Sequence, residues 1–404
     1  MSGPDGESGA RRGGPLEVFR AFLRLGLTSF GGPVAHLGYF RDDLVLRRGW
    51  IDEPGYADLV ALCQFLPGPA SSQVGFALGV LRGGGLIGGL AAWLGFTLPS
   101  ALVLLAFALS AGALTGPFAT SFLHGLKLVA VAVIAQAVWG MARTLTPDRA
   151  RAGIALGALA IVALAPVFLG QIGAIVAGAI AGLALCRAAT AAPVGRLNFP
   201  ISRRAGFAAL ALFGALVVLP PLIGGAGVAL FEAFYRSGAL VFGGGHVVLP
   251  LLQAAVVGPH GVSGANFLAG YGLTQAMPGP LFTFAAYLGA VMPSAPTGVI
   301  GSLIALVAIF LPGLLLVYGA LPFWDDLRGV SAMQAAMRGA NAAVVGILGM
   351  ALYRPIFTSA VLTPRDFLLA AGGFLSLAVW KAPPWRVVVA LTAGAMLLAA
   401  MGLG

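Results

Sequence analysis

One fourteen-residue segment occurs twice in this chain. Phe19-Arg-Ala-Phe-Leu-Arg-Leu-Gly-Leu-Thr-Ser-Phe-Gly-Gly32 aligns with Phe231-Glu-Ala-Phe-Tyr-Arg-Ser-Gly-Ala-Leu-Val-Phe-Gly-Gly244 at an offset of 212. Eight of the fourteen positions are identical, where chance in so biased a composition gives roughly one or two. Farther on, Gln64-Phe-Leu-Pro67-Gly68-Pro69 matches Gln275-Ala-Met-Pro278-Gly279-Pro280 at offset 211, and Leu98-Pro99 matches Leu311-Pro312 at offset 213. Any fold for this chain is therefore built from two related halves, each with a Phe-Gly-Gly element followed by a Pro-Gly-Pro break.

The solvent for those halves follows from hydropathy. Of 404 residues, 59% are hydrophobic and 9% charged, and the mean hydropathy is +0.97, too apolar for water-soluble domains and suited to a bilayer. The 60 glycines and 26 prolines fall inside apolar stretches, as in transmembrane helices that pack closely or break. Mostly apolar stretches lie near 17-38, 56-82, 84-113, 120-143, 151-167 and 168-188, then 203-223, 228-250, 265-292, 296-320, 334-352, 366-381 and 386-402. The expectation is an all-α polytopic membrane protein of about 13 spans. The net charge of +10 comes from arginines between apolar segments, which report orientation and not nucleic-acid binding. Cys63, Cys186 and four scattered histidines form no metal-ligand spacing, and no cofactor motif is visible; G-x-x-x-x-G-K-[ST] is absent, so energy for any transport would come from a gradient.

The expected organisation is a disordered cytoplasmic tail over 1-14, a first transmembrane repeat over 15-188, a linker with an extra transmembrane helix over 189-227, and a second repeat over 228-404. Placing the N-terminus in the cytoplasm puts Arg82, Arg143, Arg149, Arg151, Arg203 and Arg204 inside, as the positive-inside rule asks. Arg41, Arg47 and Arg48 then fall outside and violate it; if the first segment is a hairpin instead of a span, the topology shifts. Seven spans separate equivalent points of the halves. That odd number turns the second copy upside down and predicts inverted repeats of the secondary-transporter kind.

Chemistry is expected at the breaks. Proline inside an apolar helix removes a backbone hydrogen bond and clashes with the preceding turn, so Pro67, Gly68 and Pro69, like Pro278, Gly279 and Pro280, interrupt their helices at membrane depth. The helix restarting after each break aims free N–H groups and a positive dipole end at an anion, and Gln64 and Gln275 sit one turn before. Gly31, Gly32 and Pro33, with Gly243 and Gly244, suit either tight helix crossing or a nest of donors. His36 and His246 follow them and are candidates to carry or sense a proton. Arg24 and Arg236 occupy equivalent places, but Glu232 precedes Arg236 at i,i+4 whereas Arg20 precedes Arg24; two like charges on one face gain by sharing an anion, or else snorkel to head groups. Lys127 and its counterpart Asn341 lie within apolar runs, where an embedded lysine is a functional candidate.

The Phe-Gly-Gly-Pro at 30–33, the Pro-Gly-Pro at 67–69 and their second-half counterparts resemble the chromate ion transporter family, in its long two-domain form, over roughly residues 15-402. The resemblance implies export of chromate, with sulfate as a close analogue, across the cell inner membrane as a resistance mechanism. It also implies substrate contact at Arg24, Gly31, Gly32, Pro33, His36 and Pro67 to Pro69, with Lys127 in a matching Gly-Leu-Lys context. Gly245 replaces Pro33 in the second half, which argues against equivalent half-sites. The partners implied are chromate or sulfate, a coupling proton or counter-anion, and the lipid bilayer, with a homodimer left open. The alternatives are a transporter of another inorganic anion such as sulfate on the same scaffold, or an intramembrane enzyme, which would need a metal set or paired acid and base that the sequence lacks.

Overall fold

A computed structural model describes residues 13–110, 116–165, 167–186, 199–242, 247–258, 261–294, 296–327 and 330–402, and every regular element among them is helical. The first half holds α1 (Pro15–Thr28), α2 (Gly32–Phe40), α3 (Glu53–Phe65), α4 (Ala70–Gly83), α5 (Leu86–Ser110), α6 (Pro117–Leu145), α7 (Arg149–Leu164) and α8 (Val167–Leu185). Between the halves lie α9 (Arg203–Val218) and the short α10 (Pro220–Ile223). The second half holds α11 (Ala226–Ala239), α12 (Val248–Val256), α13 (Gly264–Thr274), α14 (Phe284–Val291), α15 (Gly298–Ala320), α16 (Trp324–Leu327), α17 (Ser331–Ala351), α18 (Thr358–Ala360), α19 (Pro364–Ala378) and α20 (Pro384–Ala400). The expected tail, up to residue 12, and the linker over 189–198 lie outside the described residues.

Local chemistry sets the helix ends. Asp52 caps α3 by accepting from the Gly55 N–H at 3.1 Å, Ser202 and Ser263 cap α9 and α13, and Thr363 and Asp366 form a reciprocal box at the start of α19. Among the described residues, four helical stretches, Leu86–Ser110, Phe118–Leu145, Gly298–Phe323 and Ser331–Ala360, are long and apolar enough to cross a membrane. Near 17-38, 56-82, 228-250 and 265-292, where sequence suggests single spans, the chain instead makes two short helices around a break: α1 and α2, α3 and α4, α11 and α12, α13 and α14.

Contacts between these short helices show how three of the pairs are folded. The Gly13 N–H donates to the Arg82 carbonyl at 3.0 Å, and Glu17 pairs with the Arg82 guanidinium at 3.0 Å. Arg48 and Arg82 both pack on the Trp50 ring, 5.9 and 5.6 Å from its centre. The start of α1, the segment after α2 and the end of α4 thus meet at one place. A thirteen-span count sets Arg48 and Arg82 on opposite faces, yet they share one indole. In the second half the Tyr287 hydroxyl of α14 donates to the Asn266 carbonyl of α13 at 3.2 Å, so this pair folds back on itself too.

Each half packs internally through small residues. A methyl on Gly26 of α1 would come within 2.7 Å of the Phe96 carbonyl oxygen of α5, and one on Gly238 of α11 would strike the Ile309 carbonyl of α15, so the two helices of each pair touch backbone to backbone. Leu109, at the end of α5, faces Gly298 at the start of α15. Near the start of α5, Gly89 rests on the Phe76 ring, which meets Tyr318 near the end of α15 at 6.3 Å. These two equivalent helices therefore run in opposite directions.

Candidate functional site

Each break is tied to the opposite half. The Gly68 N–H donates to the Val241 carbonyl at 2.7 Å, and the Gly279 N–H donates to the Ser29 carbonyl at 2.9 Å. Val241 and Ser29 are equivalent residues, each just before its Phe-Gly-Gly element, so the second-half break closes on the first-half element and the first-half break on the second. Both glycines need φ values closed to other residues, +124° at Gly68 and +92° at Gly279. Neither has room for a side chain: a methyl would lie 2.9 Å from the Gly313 Cα at Gly68, and 3.0 Å from the Ser100 hydroxyl at Gly279. Gly313 and Ser100 are again equivalent positions, following Pro312 and Pro99.

Around these crossed breaks the first half is polar. Helix α2 starts from Gly31, which holds a left-handed conformation, and His36 on its first full turn is buried with Nδ1 3.5 Å from the Ser71 hydroxyl of α4. The N-terminal turns of α2 and α4 are thus neighbours, and each brings free N–H groups and a partial positive charge. The Gln73 amide donates to the Pro67 carbonyl at 2.9 Å and the Gly313 carbonyl at 3.0 Å, spanning both halves. The His36 ring stacks edge-on against Phe96 at 5.2 Å, beside Thr97. Six buried polar atoms here have no hydrogen-bond partner among the described residues: Ser29 Oγ, His36 Nε2, Ser72 Oγ, Gln73 Oε1, Thr97 Oγ1 and Gln275 Nε2. Leaving such a group unpaired costs about 1–3 kcal/mol.

Among the residues singled out by sequence, Gly31, Gly32, Pro33, His36, Pro67, Gly68 and Pro69 lie at the junction of α2, α3 and α4, and Pro278, Gly279 and Pro280 lie across from them. Gln275 is buried, whereas Gln64 is exposed. Arg24 is exposed on α1 and has no ion pair among the described residues. Arg236 pairs with Glu232 at 2.8 Å. Glu17 serves Arg82 instead of Arg20. Lys127 is half-buried on α6, where the neighbouring Leu126 carbonyl packs on Gly272 of α13. Asn341 lies on α17 with its buried Oδ1 unpartnered among the described residues. Gly243, Gly244 and His246 lie outside the described residues. Sequence reasoning missed Ser29, Ser72, Gln73, Thr97 and Ser100; for Ser29, Gln73, Thr97 and Ser100 the available signal was their contrast with Val241, Phe284, Phe310 and Gly313 at the matching places of the second half, whereas Ser72 matches the equally polar Thr283. A cavity of about 460 Å³ elsewhere, walled by apolar side chains such as Val131, Tyr353, Phe367 and Phe374, contains none of these residues.

The family model described as Chromate transporter matches residues 16–184 and again residues 228–398, one copy in each half. The chain belongs to the chromate transporter family. With its apolar helices, this family member is a multi-pass membrane protein. It is 31% identical over 396 residues to a chromate transport protein of Pseudomonas aeruginosa, covering 94% of this chain and 90% of that protein. A probable chromate transport protein of Synechococcus elongatus is 28% identical over 361 residues, with 82% and 84% covered. A chromate transport protein of Cupriavidus metallidurans is 28% identical over 345 residues, with 81% and 79% covered. No solved structure matches this member of the family.

Proposed function

We propose that this protein is a secondary transporter that exports chromate across the cell inner membrane and so confers chromate resistance, with sulfate handled as a tetrahedral divalent analogue. The anion binds in the first half, between the crossed breaks. Counter-charge comes from the N-terminal turns of α2 and α4, and hydrogen bonds come from Ser29, His36, Ser72, Thr97 and Gln275. A desolvated anion exchanges its water for preset donors there, which is the use that broken helices serve in transporters. The observation that carries this reading is the set of buried, unpartnered polar atoms around the reciprocal Gly68–Val241 and Gly279–Ser29 hydrogen bonds. The family and its chromate-transporting relatives supply the substrate.

The proposed membrane topology follows the same contacts. The four broken segments enter and leave on one face each, as re-entrant hairpins whose tips meet near mid-membrane, while α5 to α9, α15, α17, α19 and α20 cross. The halves are inverted. With the N-terminus cytoplasmic, Arg41, Arg47 and Arg48 join Arg82 inside, which removes the violation of the positive-inside rule. Irregular backbone at this depth is tolerated because it is enclosed by protein. A coupling proton or counter-anion supplies the energy.

Chromate and sulfate flux into vesicles of known sidedness, with and without a pH gradient, tests the proposal. Saturable chromate flux is expected, inhibited by sulfate and lowered roughly thirtyfold in Gln73→Leu. Absence of flux for both anions overturns it. Cysteines placed at Arg47 and Arg82 are expected to react from the same side of the membrane, and labelling from opposite sides overturns the hairpins.

A further inference from the structure

The face of α1 that its neighbours leave uncovered carries Arg20, Arg24 and Thr28, spaced i, i+4, i+8, so that they form one stripe along the helix. All three are exposed, and the opposite side of the helix buries Val18, Ala21, Phe22 and Leu25. Glu17, the acid nearest in sequence, is held by Arg82, and neither Arg20 nor Arg24 forms an ion pair among the described residues. At about 1.5 Å per residue, Arg24 sits roughly 10 Å farther along the axis than the Glu17–Arg82 pair. An unpaired guanidinium at that depth is costly against hydrocarbon and cheap against water. Thr28, one turn beyond, adjoins Ser29 and Gly31, where the half-helix α2 begins.

The equivalent stripe of the second half reads Glu232, Arg236, Leu240. There Glu232 and Arg236 close on each other at 2.8 Å, and the third place is apolar. Two charges of one sign line the approach on one face of the protein, and a neutral pair lines it on the other.

We propose that Arg20, Arg24 and Thr28 form a water-filled access ladder that concentrates oxyanions on the face bearing the N-terminus and passes them to the site at the α2 N-terminus, with no counterpart on the opposite face. The inference rests on the anion-transport reading above, and it adds a direction of capture. Like charges spaced along a low-dielectric wall raise the local anion concentration without holding the anion tightly. The ladder therefore governs apparent affinity from one side and leaves the turnover of bound anion to the buried site.

The test uses full-length protein in vesicles of known sidedness, in a background with both native cysteines replaced, Cys63→Ala and Cys186→Ala. A Thr28→Cys variant is exposed to thiol reagents that differ only in carrying a sulfonate or a trimethylammonium group. The expected result is reaction from the N-terminal face, with the anionic reagent about tenfold faster, and loss of that preference on adding Arg20→Glu, which recreates the second-half pair with Arg24. In parallel, Arg20→Glu is expected to raise the KM for chromate about tenfold from the N-terminal face only, and Glu232→Arg to lower it from the other face. An unreactive Thr28→Cys that still folds, equal rates for the two reagents, or an Arg20→Glu effect that is the same from both faces overturns the ladder. Charge-selective labelling without chromate or sulfate flux would keep the ladder and overturn the transport reading, so the two fail separately. Arg20→Gln, expected to give half the change, covers the case in which the charge reversal misfolds.

Discussion

The two halves share a backbone plan and differ in what they place at its centre. Where the first half has Ser71, Gln73 and Thr97, the second has Phe282, Phe284 and Phe310, all buried, with Phe282 against Phe310 at 5.6 Å and Phe284 against Phe267 at 5.2 Å. His36 corresponds to the valines Val247 and Val248, Ser29 to Val241, and Ser100 to Gly313. The retained residues are those the backbone requires: Gly26 with Gly238, Gly68 with Gly279, Pro69 with Pro280. Duplication thus supplied a scaffold that each copy needs the other to complete. Divergence then left one polar centre packed against one apolar plug.

The comparison breaks most severely at the shared glycines. Gly68→Val and Gly279→Val each force a β-branched residue into a left-handed conformation and against neighbouring atoms, at a cost of about 3 kcal/mol or more. Both are expected to abolish the monodisperse peak in size-exclusion chromatography, and to do so equally, because the scaffold role is common to the halves. A large difference between the two would argue that only one break is structural.

Next in size is the divergent pair Gln73 and Phe284. Gln73→Leu unpairs the Pro67 and Gly313 carbonyls and is expected to cost about 2 kcal/mol, or roughly thirtyfold in chromate flux. Phe284→Leu keeps an apolar core and is expected to hold flux within about threefold. Equal losses in vesicle flux would remove the functional asymmetry.

Smaller, and opposite in sign for stability and function, are Ser72→Ala and Thr97→Val. Each removes a buried hydroxyl without a partner, so anion-free protein is expected to gain about 1 kcal/mol in thermal unfolding while chromate flux falls. Stabilisation without loss of flux would take these hydroxyls out of the site. The smallest effect belongs to Glu232→Gln: its pair with Arg236 is partly exposed, and breaking it is expected to change stability by about 0.5 kcal/mol, read by the same unfolding measurement.

Much of this was legible along the chain, and the reason is local. Pro67 and Pro69 around Gly68 interrupt a helix by their own chemistry, and Glu232 at i,i+4 from Arg236 pairs with it by helical geometry alone. The repeat made the breaks symmetric before any contact was seen. Gln64 and Gln275 were equivalent in sequence, yet one is exposed and the other buried, because burial depends on which neighbours arrive. Glu17 had Arg20 at helical spacing but took Arg82, sixty-five residues away, since α1 and the end of α4 are brought together only by the fold.

Sequence by itself determined that this chain belongs in a membrane, that it is double, and that each half is broken at a fixed place, since apolar length, identity at constant offset and proline chemistry need no partner. Tertiary structure decided that Arg48 and Arg82 share one indole, that each break is capped by the other half's carbonyl, and that Ser72 Oγ, Gln73 Oε1 and Thr97 Oγ1 are buried with no partner among the described residues. Those are properties of pairs of segments far apart in the chain. A helix that folds back and a helix that crosses have the same composition, and only the contacts at their ends tell them apart.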